Sequence, residues 1–127
     1  MNGRTRDAVA RTSELIATIL RDKTMPDFKF TGEISLTLHI NGGSLNHITE
    51  NEQTTAEKDD VVTATEGAWM AMRRETFATA TGLLTTRLDD VFGERNFHGE
   101  ITLHLPIIAG ACKLCRISSR RVHKVHA

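Results

Sequence analysis

Two cysteines and two histidines near the C-terminus form the closest grouping of chemistry-bearing side chains: Cys112-x-x-Cys115, then His123-x-x-His126. Thiolate and imidazole are ligands that zinc takes, and a tetrahedral site needs four of them converging at about 2.0–2.3 Å. The spacing departs from that of a finger, where about 12 residues separate the pairs and roughly three to five separate the histidines. The second return strand would also carry Cys115, opposite Asn46 of the first copy of the repeat described below. Residues i and i+3 of a strand point to opposite faces, so both thiols would not easily reach one metal. The preferred expectation is one buried Cys acting as a small apolar residue, one incidental Cys, and a His-containing tail. A zinc-stabilised module on Cys112, Cys115, His123 and His126 is the alternative. Nothing places the pair at a helix N-terminus, where a redox thiolate would be favoured.

The remaining titratable groups are dispersed. Glu33 and Glu100 occupy equivalent places in an internal repeat, and His39 and His104 share the polar faces of the same segments. If those faces meet, the four could converge on an acid–base or metal site; a solvated face of cross-strand polar pairs is the preferred expectation. No nucleophile elbow or phosphate-binding glycine loop is present, so the chain reads as non-enzymatic. Arg116, Arg120, Arg121 and Lys124, with Lys113, form a basic C-terminus, and Arg4, Arg6 and Arg11 a second cluster. Either could contact phosphates, although solvated charge is the commoner explanation. Trp69, Met72 and Arg73 lie on a long helical segment and are assigned as partner-binding residues, since a helix of that length leaves apolar surface to cover.

These residues sit in 127 positions with 39% hydrophobic and 25% charged residues and a formal net charge of zero. That suits one compact domain, residues 1–127, and gives no global field to draw nucleic acid or membrane. No tyrosine and one tryptophan argue against a stacking platform. No apolar run approaches the roughly 20 residues of a membrane span, and no apolar stretch follows the basic N-terminus as in a signal peptide. Cytoplasmic residence is the default expectation.

The elements that must position the candidates come in two similar sets. Phe30-Thr31-Gly32-Glu33-Ile34-Ser35-Leu36-Thr37-Leu38 returns as Phe97-His98-Gly99-Glu100-Ile101-Thr102-Leu103-His104-Leu105. Both alternate with period two, the signature of a strand with one face on a core. Residues 1–6 read as a loose basic lead-in. Val9, Leu15, Ile16, Ile19 and Leu20 then recur near helical spacing from Asp7, placed as cap, and the helix should end near Asp22-Lys23, before Met25-Pro26. Asn41-Gly42-Gly43 signals a tight turn, and Ser44 to Thr49 returns as a second strand. An acidic linker follows, then a helical pattern from about Glu57 to Phe92, extended or broken near Thr79, Thr81 and Gly82. Gly93 is placed as its C-terminal cap. Phe97 to Ile107 and Lys113 to Ser118 make the second hairpin, its turn two residues longer, with Leu114 and Ile117 answering Leu45 and Ile48. The expected fold is α+β, two layers of duplicated helix–β-hairpin units, αββ-αββ: residues 7–52, residues 57–119, and a basic tail 120–127.

Helix, then Phe-x-Gly-Glu-Ile-x-Leu-x-Leu, then glycine turn and apolar return strand resembles the small bacterial YezD-like domains. Gly32, Glu33, Ile34, Leu36, Gly43, Ile48 and Glu50 carry the similarity; the second half follows through Gly99 to Leu105 and departs at Pro106-Ile107-Ile108-Ala109-Gly110. The resemblance implies a small helix–hairpin module able to form oligomers, and brings no catalytic residues. The functional expectation is a binding or regulatory protein working through protein–protein contacts as a homo-oligomer, of the kind frequent among phage and mobile-element regulators and inhibitors. Nucleic-acid binding through the basic termini is the alternative.

Overall fold

The computed structural model describes residues 2–24, 30–55, 66–94, 96–112 and 114–122. Two helices, α1 (Gly3–Lys23) and α2 (Glu66–Phe92), cover one face of an antiparallel sheet. Its strands are β1 (Gly32–Asn41), β2 (Ser44–Thr54), β3 (Gly99–Ile108), β4 (Ala111–Cys112) and β5 (Arg116–Arg121). β2 pairs with β1, β1 with β3, and β3 with both β4 and β5. The fold is α+β in two layers, and both hairpins join one sheet within the chain.

Alternation builds the core. Ile34, Leu36, Leu38 and Ile40 of β1, and Ile101, Leu103, Leu105 and Ile107 of β3, are at most 3% exposed. Each contributes about 1.5–3 kcal/mol of gross hydrophobic stabilisation. The helices close over them with Ala8, Ile16, Ile19 and Leu20 from α1 and Ala80, Leu84, Leu88, Val91 and Phe92 from α2.

α1 begins earlier than Asp7. Asn2 caps it by accepting a 2.8 Å bond from the Arg4 N–H, which carries the helix through most of the expected lead-in. Thr5 and Thr12 lie on its buried stripe, polar residues that an apolar-only pattern skips. Thr12 survives burial because its hydroxyl donates to the Ala8 carbonyl at 2.7 Å. The helices run antiparallel: Arg73 near the start of α2 donates to the Thr24 carbonyl at the end of α1, and Asn2 N–H donates to Asp89 near the end of α2.

α2 is unbroken through Thr79, Thr81 and Gly82. Thr81 and Thr85 donate to carbonyls four residues back, at 2.9 and 2.8 Å, so their hydroxyls stay within the helix. Its predicted first turns lie outside the described residues; the acidic linker expected from Asn51 does not start there, because β2 continues through Thr54, paired along β1 to Gly32. Gly93 does not terminate α2 by a left-handed turn; positive φ falls on Asn96 instead.

The second turn is not longer than the first. Asn41 pairs with Ser44 and Ile108 with Ala111, so each hairpin turns on two residues. Gly42 and Gly43 have φ 64° and 76°, and Ala109 and Gly110 have 50° and 77°, the doubly left-handed turn suited to twisted strands. β1–β2 then shifts register between His39 and Ile40. β3 shows a corresponding shift between its β4 and β5 pairings. Ile117 therefore stands opposite Leu103 as Glu50 stands opposite Leu36. The expected match of Ile117 to Ile48 is out by two places.

Candidate functional site

Beneath the helices the sheet is apolar; its other face is polar. From β2 to β5 that face carries Asn51, Thr49 and His47, then Glu33, Ser35, Thr37 and His39, then His104, Thr102 and Glu100, then Arg116, Ser118 and Arg120, in register. No element among the described residues lies over it. At its centre the Thr37 and Thr102 hydroxyls are 3.1 Å apart.

Two His–Glu pairs flank that centre. His39 Nδ1 lies 3.5 Å from Glu100 Oε1, and His104 Nδ1 lies 3.6 Å from Glu33 Oε2. His39 Nε2 bonds Thr49 Oγ1 at 2.5 Å, and its ring stacks on His47 at 4.2 Å. His104 Nε2 bonds Ser118 Oγ at 2.9 Å; its Nδ1 is buried with no hydrogen bond among the described residues. Arg116 adds a 3.1 Å contact to Glu33. Both carboxylates thus meet histidines, but not at one point. Glu33 stands beside Pro106 and Glu100 beside His39, six strand positions apart, or about 20 Å. The four groups make two separate cross-strand pairs rather than a convergent acid–base or metal site.

The cysteines overturn the opposite-face argument. Cys112 pairs with Ile107 on the helix side, and Cys115, just before β5, is buried with it at 7% exposure against 8%. The register shift inserts one residue between them, as it does between Leu45 and Ile48 in the first hairpin, and returns the i+3 side chain to the same face. Cys115 thereby takes the place of Ile48, not Asn46. Both are thiols with no disulfide between them. With Met72, Glu75, Thr76, Thr79 and Leu114 they line a cavity of about 210 Å³. Burial foremost, and Cys115 beside it, push the Cys112 thiol up to about 11, the Thr76 hydroxyl bond partly opposing them. Burial also raises Cys115. His123 and His126 lie outside the described residues; among those described, no three His, Cys, Asp or Glu residues gather around one point.

Trp69 is 2% exposed within the chain itself, which removes it as a surface contact. Met72 packs partly buried against the core. Arg73 is engaged at the end of α1, its Nε donating to Thr24 O at 2.9 Å and to Thr24 Oγ1 at 3.0 Å. That places a cation at the negative end of the helix. Among the described residues the exposed large apolar side chains are elsewhere: Met70, Leu114 and Val122. Of the basic group, Arg116 and Arg120 lie on the open sheet face. Arg121 lies on the other, 2.5 Å from Glu94 and over the Phe97 ring; Lys124 is outside the described residues. Arg4 donates to Gly43 O at 3.0 Å.

The sheet face is legible in the alternation, but its pairings depend on the β1–β3 register. The cysteine cleft escapes a reading by alternation; the three-residue spacing shared by Leu45 and Ile48 and by Cys112 and Cys115 is the available signal of a bulge. No helix among the described residues is long and apolar enough to cross a membrane. No family model, curated protein or solved structure matches the chain.

Proposed function

We propose that this chain is a small non-enzymatic binding and regulatory protein that engages a protein partner through the open face of its sheet. The observation that carries the reading is that face itself: four strands wide, backed by a rigid apolar layer, and set with short hydrogen-bonding side chains. An open array of Thr, Ser, Asn and His with His–Glu pairs suits the polar surface of a protein; the concavity at its end, lined by His39, Asn46, His98 and Glu100, is about 220 Å³, below the roughly 300–1,000 Å³ of a small-molecule site. Sheet-held side chains lose little further freedom on binding, which lowers the entropic cost of association. In this reading the two αββ units, of the kind the YezD-like resemblance implies, act as one platform, and Trp69 and Arg73 serve its packing.

The test is photo-crosslinking in cells from a benzophenone residue at Thr37, with Glu14 on the exposed side of α1 as comparison. A discrete adduct to one other protein from position 37 and not from 14 is expected. Absence of an adduct at 37, or equal adducts from both, sinks the reading.

A second reading, nucleic-acid binding, is favoured by Arg116 and Arg120 lying at one margin of the same face. It requires a salt-sensitive gel shift with single- or double-stranded probes that Arg120→Glu abolishes; no shift at low salt would end it.

A further inference from the structure

The cleft between α2 and the second hairpin holds an unusual donor set. Cys112, Cys115 and Met72 all line the same cavity of about 210 Å³, so three sulfur-bearing side chains face one space. We propose that Cys112, Cys115 and Met72 form a three-sulfur site for copper(I). This does not rest on the sheet-face reading, since the cleft lies on the helix side of the sheet.

Ligand chemistry selects the metal. Zinc takes four ligands from thiolate, imidazole and carboxylate; of those types the cleft is lined by Cys112, Cys115 and Glu75, one short of four and not gathered into a metal-holding group. Thiolates and a thioether select copper(I). The backbone supports the set: without the register shift Cys115 would face away from Cys112, and with it both thiols sit under α2. Thr76, one turn from Met72 on α2, bonds the Cys112 sulfur, a contact of the kind that orients a ligand. Access is provided on one side, where Leu114 is 89% exposed and forms part of the cavity wall.

Binding is a proton-for-metal exchange. Each thiol releases its proton to solvent as its S–Cu bond forms, the Met72 thioether donates a lone pair without proton loss, and copper stays at +1 throughout. Ligand thiols must ionise, so uptake strengthens as pH rises. Two protons leave for each copper(I) bound, and that count sets how strongly affinity depends on pH.

The experiment is an anaerobic titration of the full chain with copper(I) in competition with bicinchoninate. One copper(I) per chain is expected, held more tightly at higher pH. Because loss of even a contact that only supports a ligand costs metal affinity about tenfold or more, Met72→Leu should weaken binding by at least about tenfold. Glu14→Gln, on the exposed side of α1, should leave it unchanged, and Cys115→Ala should abolish stoichiometric uptake. Circular dichroism of each variant verifies the fold, and Met72→Leu, a near-isosteric change, keeps the test decisive if a cysteine variant does not fold. Uptake equal in Cys115→Ala, or unaffected by Met72→Leu, overturns the proposal. So does wild-type protein that holds one zinc and loses it in His123→Ala/His126→Ala, which would return the cysteines to a Cys/His site.

Discussion

A single added Cβ decides whether β1 can lie against β2. At Gly32 it would stand 2.1 Å from the Gln53 carbonyl oxygen and 3.0 Å from the Phe30 ring; at Gly99 it would stand 2.2 Å from the Arg120 oxygen and 3.0 Å from the Phe97 ring. In each Phe-x-Gly the ring closes over its own glycine. A cation lies 5.0 Å from each ring centre, Lys23 over Phe30 and Arg121 over Phe97. Alanine at either glycine should therefore destabilise the fold by about 1–3 kcal/mol through overpacking. Gly82 is the contrasting case: it is exposed in mid-helix, and a methyl group there would meet nothing within 4 Å. Gly82→Ala should stabilise by about 0.5–1 kcal/mol. Urea melts of the three variants check the opposite signs; a destabilised Gly82→Ala or a neutral Gly32→Ala refutes the assignment. Cys112 gives a second prediction at this scale. Its thiol ionises at about 11 when folded against 9.0 ordinarily. Between those values the unfolded chain gives up a proton that the folded chain keeps, so stability falls as pH rises and is intact below about pH 9. The loss should be at most roughly 2–3 kcal/mol. With no tyrosine in the chain, phenol ionisation does not overlap that window. Urea midpoints across it should fall in wild type and fall less in Cys112→Val, which keeps the contribution of Cys115 alone.

At the scale of elements, the two hairpins are held at their tips by each other's lead-in residues. Gly43 N–H donates to Phe97 O at 3.1 Å, and Gly110 N–H donates to Phe30 O at 2.8 Å. The first residue of each turn does likewise: Gly42 N–H to His98 Nδ1 at 3.2 Å, and Ala109 N–H to Thr31 Oγ1 at 2.9 Å. The two turns differ in that Ala109 holds φ 50° where the first turn has glycine. Ala109→Gly should therefore stabilise by about 1 kcal/mol, the left-handed penalty on an alanine; denaturation showing no gain would mean the tip relaxes at no cost. These elements also mark what the sequence can and cannot convey. Period-two runs announce β1 and β3, because alternation is a property of consecutive residues. The equal length of the turns stays hidden because Ala109-Gly110 lacks the Asn-Gly-Gly signal of the first hairpin. A one-residue bulge is visible only in how a strand meets its partner, so alternation alone puts the cysteines on opposite faces. An apolar stripe alone cuts α1 short because Thr5 and Thr12, polar by type, are buried by position.

At the scale of the molecule, the register has a consequence that reaches beyond stability. Leu36 faces Leu103, its own counterpart in the repeat, and pairing runs outward from there, Gly32 with Ile107 and Ile40 with Gly99. An approximate twofold axis through the Leu36–Leu103 pair would exchange β1 with β3 and the two turns, and the antiparallel helices fit the same exchange. An isologous interface is one in which a surface meets a copy of itself, and β1 meets in β3 a strand with the same glycine, glutamate, isoleucine and leucine positions. A chain ending after β2 should then pair with itself. Residues 1–55 alone are expected to form a dimer, with β1 against β1 about Leu36 and the two copies of α1 covering the joined sheet. Light scattering should give twice the fragment mass with a mixed helix and strand circular dichroism spectrum. Leu36→Lys should dissociate it, because two ammonium groups would face each other in the buried centre of the sheet. The fragment loses the Arg73 contact at Thr24 and the Asp89 contact at Asn2, so its dimer should be less stable than the intact chain. A folded monomer, or a fragment unfolded at every concentration, would mean that β1 requires what distinguishes β3 from it: Pro106 in place of His39, and the tip contact made by His98 in place of that made by Thr31. A dimer would make the intact chain, in physical terms, two such units joined through the segment between β2 and α2.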